Sequence, residues 1–115
     1  MRPAPPTTNA NILMRVKAYS ANSLICLATP GRPFLIVGYN AKASSQFIQV
    51  HNSATVPAEG SVPEYSFLVP AASNFSLDLT QYGDWFDAGI VVCNSSTQAT
   101  KTIGSADCSF TALVL

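Results

Sequence analysis

His51 is the only histidine in the chain, and Cys26, Cys93 and Cys108 are its three cysteines. An imidazole beside a thiol is the minimum for nucleophilic catalysis, and three thiolates with one imidazole match the ligand count of a zinc site. Spacing supports neither. All three cysteines fall in β-rich, apolar stretches rather than at an exposed turn or helix start that would stabilise a thiolate, and no C-x-x-C pair occurs. The expectation is three buried free thiols packed as small apolar side chains in a protein made in a reducing compartment, with His51 at a strand end. No catalytic residue, no metal and no cofactor is expected. A second cluster, Asp78, Asp84 and Asp87 around Trp85 and Phe86, could place carboxylates beside a stacking platform for a sugar. Gly83-Asp84 also has turn chemistry, and a lone tryptophan beside Phe86 suits a core cap. Trp85, Asp84 and Asp87 are the candidate glycan contacts, in a carbohydrate-binding module held as an alternative function. The six glycines are isolated, without G-x-G-x-x-G or G-x-x-x-x-G-K, so no phosphate loop is expected.

The charge pattern narrows the partners. Six basic and six acidic residues cancel, which removes the electrostatic footprint of a phosphate-backbone binder or a polybasic membrane binder. Neither nucleic acid nor membrane is expected. Only 10% of the chain is charged, against about 25% in an average soluble domain, a composition that suits a subunit packed against others. Runs such as Leu24–Ala28 and Phe34–Val37 fall far short of the ~20 apolar residues that span a bilayer, so a soluble protein is expected. Met1 to Asn9 carries prolines and polar residues where a secretory signal would have its apolar run, and export is not expected.

The elements that must position these residues are strands. Residues 1–9 hold three of the eight prolines and read as an extended arm, and residues 10–115 read as a single domain. From Ile12 to Tyr19 the side chains alternate with a period of two. Leu24–Thr29 and Phe34–Tyr39 flank Pro30-Gly31-Arg32-Pro33 and are expected to form a hairpin. Further strands are expected at Gln46–His51, Tyr65–Val69, Asn74–Leu79, Ile90–Cys93 and Cys108–Val114, separated by Pro- and Gly-bearing or polar connections. No stretch of ten residues shows a capped amphipathic helix. The fold class is all-β, a two-sheet β-sandwich, with the jelly roll as one connectivity compatible with it.

The segments Gly38-Tyr39-Asn40, Gln46 to Asn52, Val56 to Pro63, Asn74 to Asp78 and Gly89 to Thr97 occur in that order. Together, over roughly residues 38–110, they resemble a group of small all-β virion proteins of tailed bacteriophages. The resemblance implies a non-enzymatic particle subunit with no catalytic residue to carry over. The favoured function is a capsid decoration (cement) protein bound to the major capsid protein or another virion protein, with a tail, baseplate or fibre component as the alternative. Such a subunit would be made in the bacterial host cytoplasm and located on the virion. Interface candidates are Arg2, Pro3, Pro5 and Pro6 in the arm and Leu113, Val114 and Leu115 in the apolar last strand, with a homo-oligomer, dimer or trimer, as the expected unit.

Overall fold

A computed structural model describes residues 13–80 and 84–115. The arm over residues 1–9, with Arg2, Pro3, Pro5 and Pro6, lies outside the described residues. Eight strands follow in order: β1 (Met14–Ala21), β2 (Ser23–Leu27), β3 (Pro33–Asn40), β4 (Gln46–Asn52), β5 (Tyr65–Val69), β6 (Ser73–Asp78), β7 (Ile90–Ser95) and β8 (Cys108–Val114). There is no helix among the described residues.

The strands form two four-stranded sheets, ordered β1-β8-β3-β6 and β2-β7-β4-β5. Every pairing is antiparallel: β1 with β8, β2 with β7, β3 with β6 and β4 with β5, closed by β3 with β8 and β4 with β7. The chain is therefore one long hairpin of four strand pairs wound into two layers, the strand order of a jelly roll.

This winding corrects the hairpin expected between Leu24–Thr29 and Phe34–Tyr39, because β2 and β3 lie in different sheets. The intervening turn has its backbone groups committed elsewhere. Gly31 exchanges two hydrogen bonds with Phe86, at 2.9 and 2.8 Å, and Arg32 exchanges two with Leu115, at 2.8 and 2.9 Å. With those donors and acceptors taken, the segment crosses between sheets instead of closing on β2.

Between the layers, alternate residues interdigitate. Ile36, Ile48, Val50, Ile90, Val92, Phe110, Ala112 and Val114 have no exposed surface. Each fully buried Val, Ile or Phe contributes roughly 1.5–3 kcal/mol of transfer free energy. The Phe75 and Phe110 rings meet edge to face at 6.0 Å, and Gly38, opposite Phe110 in the neighbouring strand, leaves room for them. A Cβ on Gly38 would collide with the Phe75 ring and the Ser109 carbonyl.

One end of this core is closed by buried amides. Asn40 Nδ2 donates to the carbonyls of Ser44 and Pro70, tying together the connections that follow β3 and β5. Gln46 Nε2 donates to Asn40 Oδ1 at 2.9 Å and to Asp107 Oδ1 at 2.8 Å, and Asn94 Nδ2 donates to the Ser105 carbonyl at 2.8 Å. The remaining oxygens, Gln46 Oε1 and Asn94 Oδ1, accept no hydrogen bond from the described residues and lie against Gly104, where any Cβ would strike both.

Candidate functional site

Three surfaces bear on function, and the first is the open face of the β1-β8-β3-β6 sheet. Cys108, Phe110, Ala112 and Val114 point inward, so the intervening Ser109, Thr111 and Leu113 point out. Register extends this into rows across the sheet. Arg15, Leu113, Leu35 and Asp78 form one row, and Lys17, Thr111, Val37 and Ser76 form the next. Leu113, Leu35 and Val37 are half-buried by their neighbours, with Tyr39 exposed beyond them on the same face.

Leu113 therefore lies where the sequence placed an interface candidate, on an outward face. Val114 does not, and that expectation is corrected. The period of two that turns Leu113 outward puts Val114 in the core opposite Met14 and Pro33. Leu115 is half-buried, with its backbone held by Arg32.

The second surface is the end of the sandwich around Trp85. Trp85 is 55% exposed, whereas its neighbour Phe86 is buried and stacks on Tyr65 with a centroid distance of 6.5 Å. The core-capping role expected for the tryptophan belongs to Phe86. The Gly31–Phe86 bridge keeps this segment extended, which turns Phe86 inward and leaves Trp85 and Asp87 exposed to either side of it. The Arg32 guanidinium carbon lies 5.5 Å from the Trp85 ring centroid, within cation–π range. Asp84 accepts a 2.6 Å hydrogen bond from the Tyr65 hydroxyl, which pushes that hydroxyl up to about 12. Asp87 accepts one from Asn52 Nδ2 at 2.7 Å, so both candidate carboxylates are held by neighbouring side chains. Nothing in the sequence linked Arg32, Asn52 or Tyr65 to Trp85, because they come from three distant segments.

The third surface is the outer face of the β2-β7-β4-β5 sheet, whose centre is covered by the chain's own loops while Ile25 and Leu68 stay exposed at its edges. Gln49, His51, Val91 and Cys93 alternate with core residues and point away from the core, yet all are buried. Gln49 Nε2 lies within hydrogen-bonding distance of the carbonyls of Thr97, Gln98 and Thr100, at 2.9 to 3.2 Å. Its Oε1 faces His51 Nε2 at 2.9 Å, which assigns the ring proton to Nε2 and leaves Nδ1 as an acceptor. Lys101, 4% exposed, donates to the Pro57 carbonyl at 2.6 Å and pairs with Glu59 at 3.9 Å, joining the 53–64 and 96–107 connections. His51 also borders a pocket of about 410 Å³ shared with Asn52, Thr55, Pro57, Ser61 and Glu64.

The acid–base chemistry of these groups runs against nucleophilic use. Burial pushes the Cys26 thiol up to about 12 and the Cys93 thiol up to about 11, and it raises Cys108 as well. Burial, with Lys101 nearby, lowers His51 below its ordinary value. At neutral pH these are thiols and a neutral imidazole, not the thiolate form in which a cysteine acts as a nucleophile. All three cysteines are free and buried. Among the described residues no group of three or more His, Cys, Asp or Glu side chains converges as metal ligands would. No helix there is long and apolar enough to cross a membrane. No protein-family model, curated protein or solved structure matches the chain.

Proposed function

We propose that this chain is a non-enzymatic structural subunit of a tailed-phage particle, a decoration protein of the head shell. The observation that carries the reading is the outward row Leu113–Leu35, continued by Val37, on a sheet face that the described residues leave uncovered. On the other sheet the chain's loops bury the central strands β7 and β4, and only the edge residues Ile25 and Leu68 remain exposed. Apolar side chains left on an ordered face gain about 25 cal/mol per Å² when a partner removes them from water. The charge-poor composition and the virion-like segments over residues 38–110 support the same role. So does the protonated state of the buried thiols, which disfavours cysteine chemistry. Purified subunit added to particles that lack it should bind saturably at the head, as seen by imaging a tagged copy, and Leu113→Asp should weaken incorporation. Density on the tail or baseplate would move the subunit there, and no binding to any part of the particle would sink the reading.

A carbohydrate-binding role is a second reading, favoured by one observation: an exposed Trp85 beside Arg32, with Asp84 and Asp87 on the adjoining backbone. A sugar stacked on the indole would change its fluorescence on titration with host polysaccharide. A flat response across a panel of neutral and acidic glycans would remove this reading.

A further inference from the structure

We infer that the open face of the β1-β8-β3-β6 sheet is a self-complementary surface, and that its occupant is the same face of a second copy of this chain. The inference rests on the reading of that face as an assembly surface and adds that it joins two copies, so that the pair, rather than the single chain, is the unit that incorporates.

The argument comes from register. Across the sheet the first outward row reads Arg15, Leu113, Leu35, Asp78: a cation at one edge, two apolar residues, and an anion at the other edge. The second row reads Lys17, Thr111, Val37, Ser76, again cationic at the β1 edge and uncharged at the β6 edge. Two such faces brought together by a two-fold axis parallel to the strands reverse the row order while keeping each row at its own height. Arg15 then lies over the partner's Asp78, Leu113 over the partner's Leu35, and Thr111 over the partner's Val37. Every pair occurs twice by symmetry, as an isologous interface requires. Sheets packed face to face cross at about 30°, which displaces the edges by a few ångström, within the reach of an arginine side chain.

Other orientations do not match. An axis perpendicular to the strands would keep each edge over itself, placing Arg15 and Lys17 of one copy against the β1 cations of the other. The charges on the face are available, because among the described residues the one ion pair is Lys101–Glu59 on the opposite sheet. Asp78 is oriented by its Oδ1, which accepts hydrogen bonds from the Thr80 amide at 2.9 Å and hydroxyl at 2.6 Å.

Sedimentation of the full chain tests this directly. Wild type should show a monomer–dimer equilibrium, while Arg15→Asp and Asp78→Arg each weaken it by roughly tenfold or more, since each swap sets like charges together twice per dimer. The double swap should restore dimerisation. A second measurement maps the contact itself. In Arg15→Lys protein, a zero-length carbodiimide should couple the introduced amine to Asp78. Within one chain the two positions are three strand spacings apart, about 14 Å, so the coupled peptide reports a contact between copies. A chain that stays monomeric at high concentration, or a dimer indifferent to both single swaps, overturns the inference. Particle binding, measured separately, separates the two claims. A monomer that still decorates heads would leave the proposed function standing and remove the second copy, whereas a charge-swap-sensitive dimer without particle affinity would do the reverse.

Discussion

The two sheets are built alike, with four antiparallel strands each and a shared core, but their outer faces are finished differently. On the β2-β7-β4-β5 sheet, Val91 and Cys93 are sealed beneath the 53–64 and 96–107 connections, and the seal is polar: one amide, Gln49, and one ammonium, Lys101, hold loop carbonyls. On the β1-β8-β3-β6 sheet, Leu35, Val37 and Leu113 occupy equivalent outward positions without a loop above them among the described residues. A covered face can carry consecutive buried residues, as β7 does throughout its length, while an uncovered face keeps strict alternation, as β8 does. On the assembly reading proposed above, the difference separates positions that matter for folding from positions that matter for association.

Substitutions on the two faces should therefore diverge. Gln49→Ala should have the largest effect, about 3 kcal/mol of unfolding free energy in urea titrations, because several loop carbonyls and the His51 ring lose a buried partner together. Lys101→Ala should cost about 2 kcal/mol through the Pro57 carbonyl. Glu59→Gln should cost under about 0.5 kcal/mol, because that end of the ion pair is solvated. On the open face Leu113→Asp should lower stability by only about 1 kcal/mol in the same titration while strongly impairing assembly. A loss there as large as that for Gln49→Ala would erase the contrast between the faces.

The smallest effect expected is a pH dependence from the covered face. His51 is held neutral in the folded chain, so its pKa lies below the ordinary value of 6.5. As pH falls below about 6.5 the unfolded chain binds a proton that the folded chain refuses, and stability declines until the folded-state pKa is passed. Above that range the contribution is fully present. The denaturation midpoint followed from pH 8 to 5 should show this slope, and His51→Gln should flatten it. An unchanged slope in the variant would mean that His51 is not the group responsible.

Several of these features were legible in the chain itself. The alternation in Cys108–Val114 and Gln46–His51 and the apolar run at Ile90–Cys93 located β8, β4 and β7, because a period of two is a local property of side chains on a pleated backbone. Leu113 could be marked as outward-facing by the same logic, but the pattern did not say that Val114 had to be core, since an apolar residue fits either face. The pairing of β2 and β3 was misjudged for a related reason. Two runs beside a tight turn look like a hairpin unless the partners of the turn's backbone, here Phe86 and Leu115, are known. Trp85 and Phe86 are adjacent aromatics of similar hydrophobicity, and which one turns inward was set by the bridge to Gly31.

What the sequence determined by itself was the class of element, the free and apolar setting of the cysteines, and the poverty of charge, all of which follow from composition and short-range periodicity. The tertiary structure decided the winding of the sheets, the placing of Gln49 and Lys101 under loops as clamps, and the alignment of Arg15 with Asp78 across four strands. Those depend on contacts between residues tens of positions apart, and register between distant strands is set by packing of the whole core rather than by any local signal.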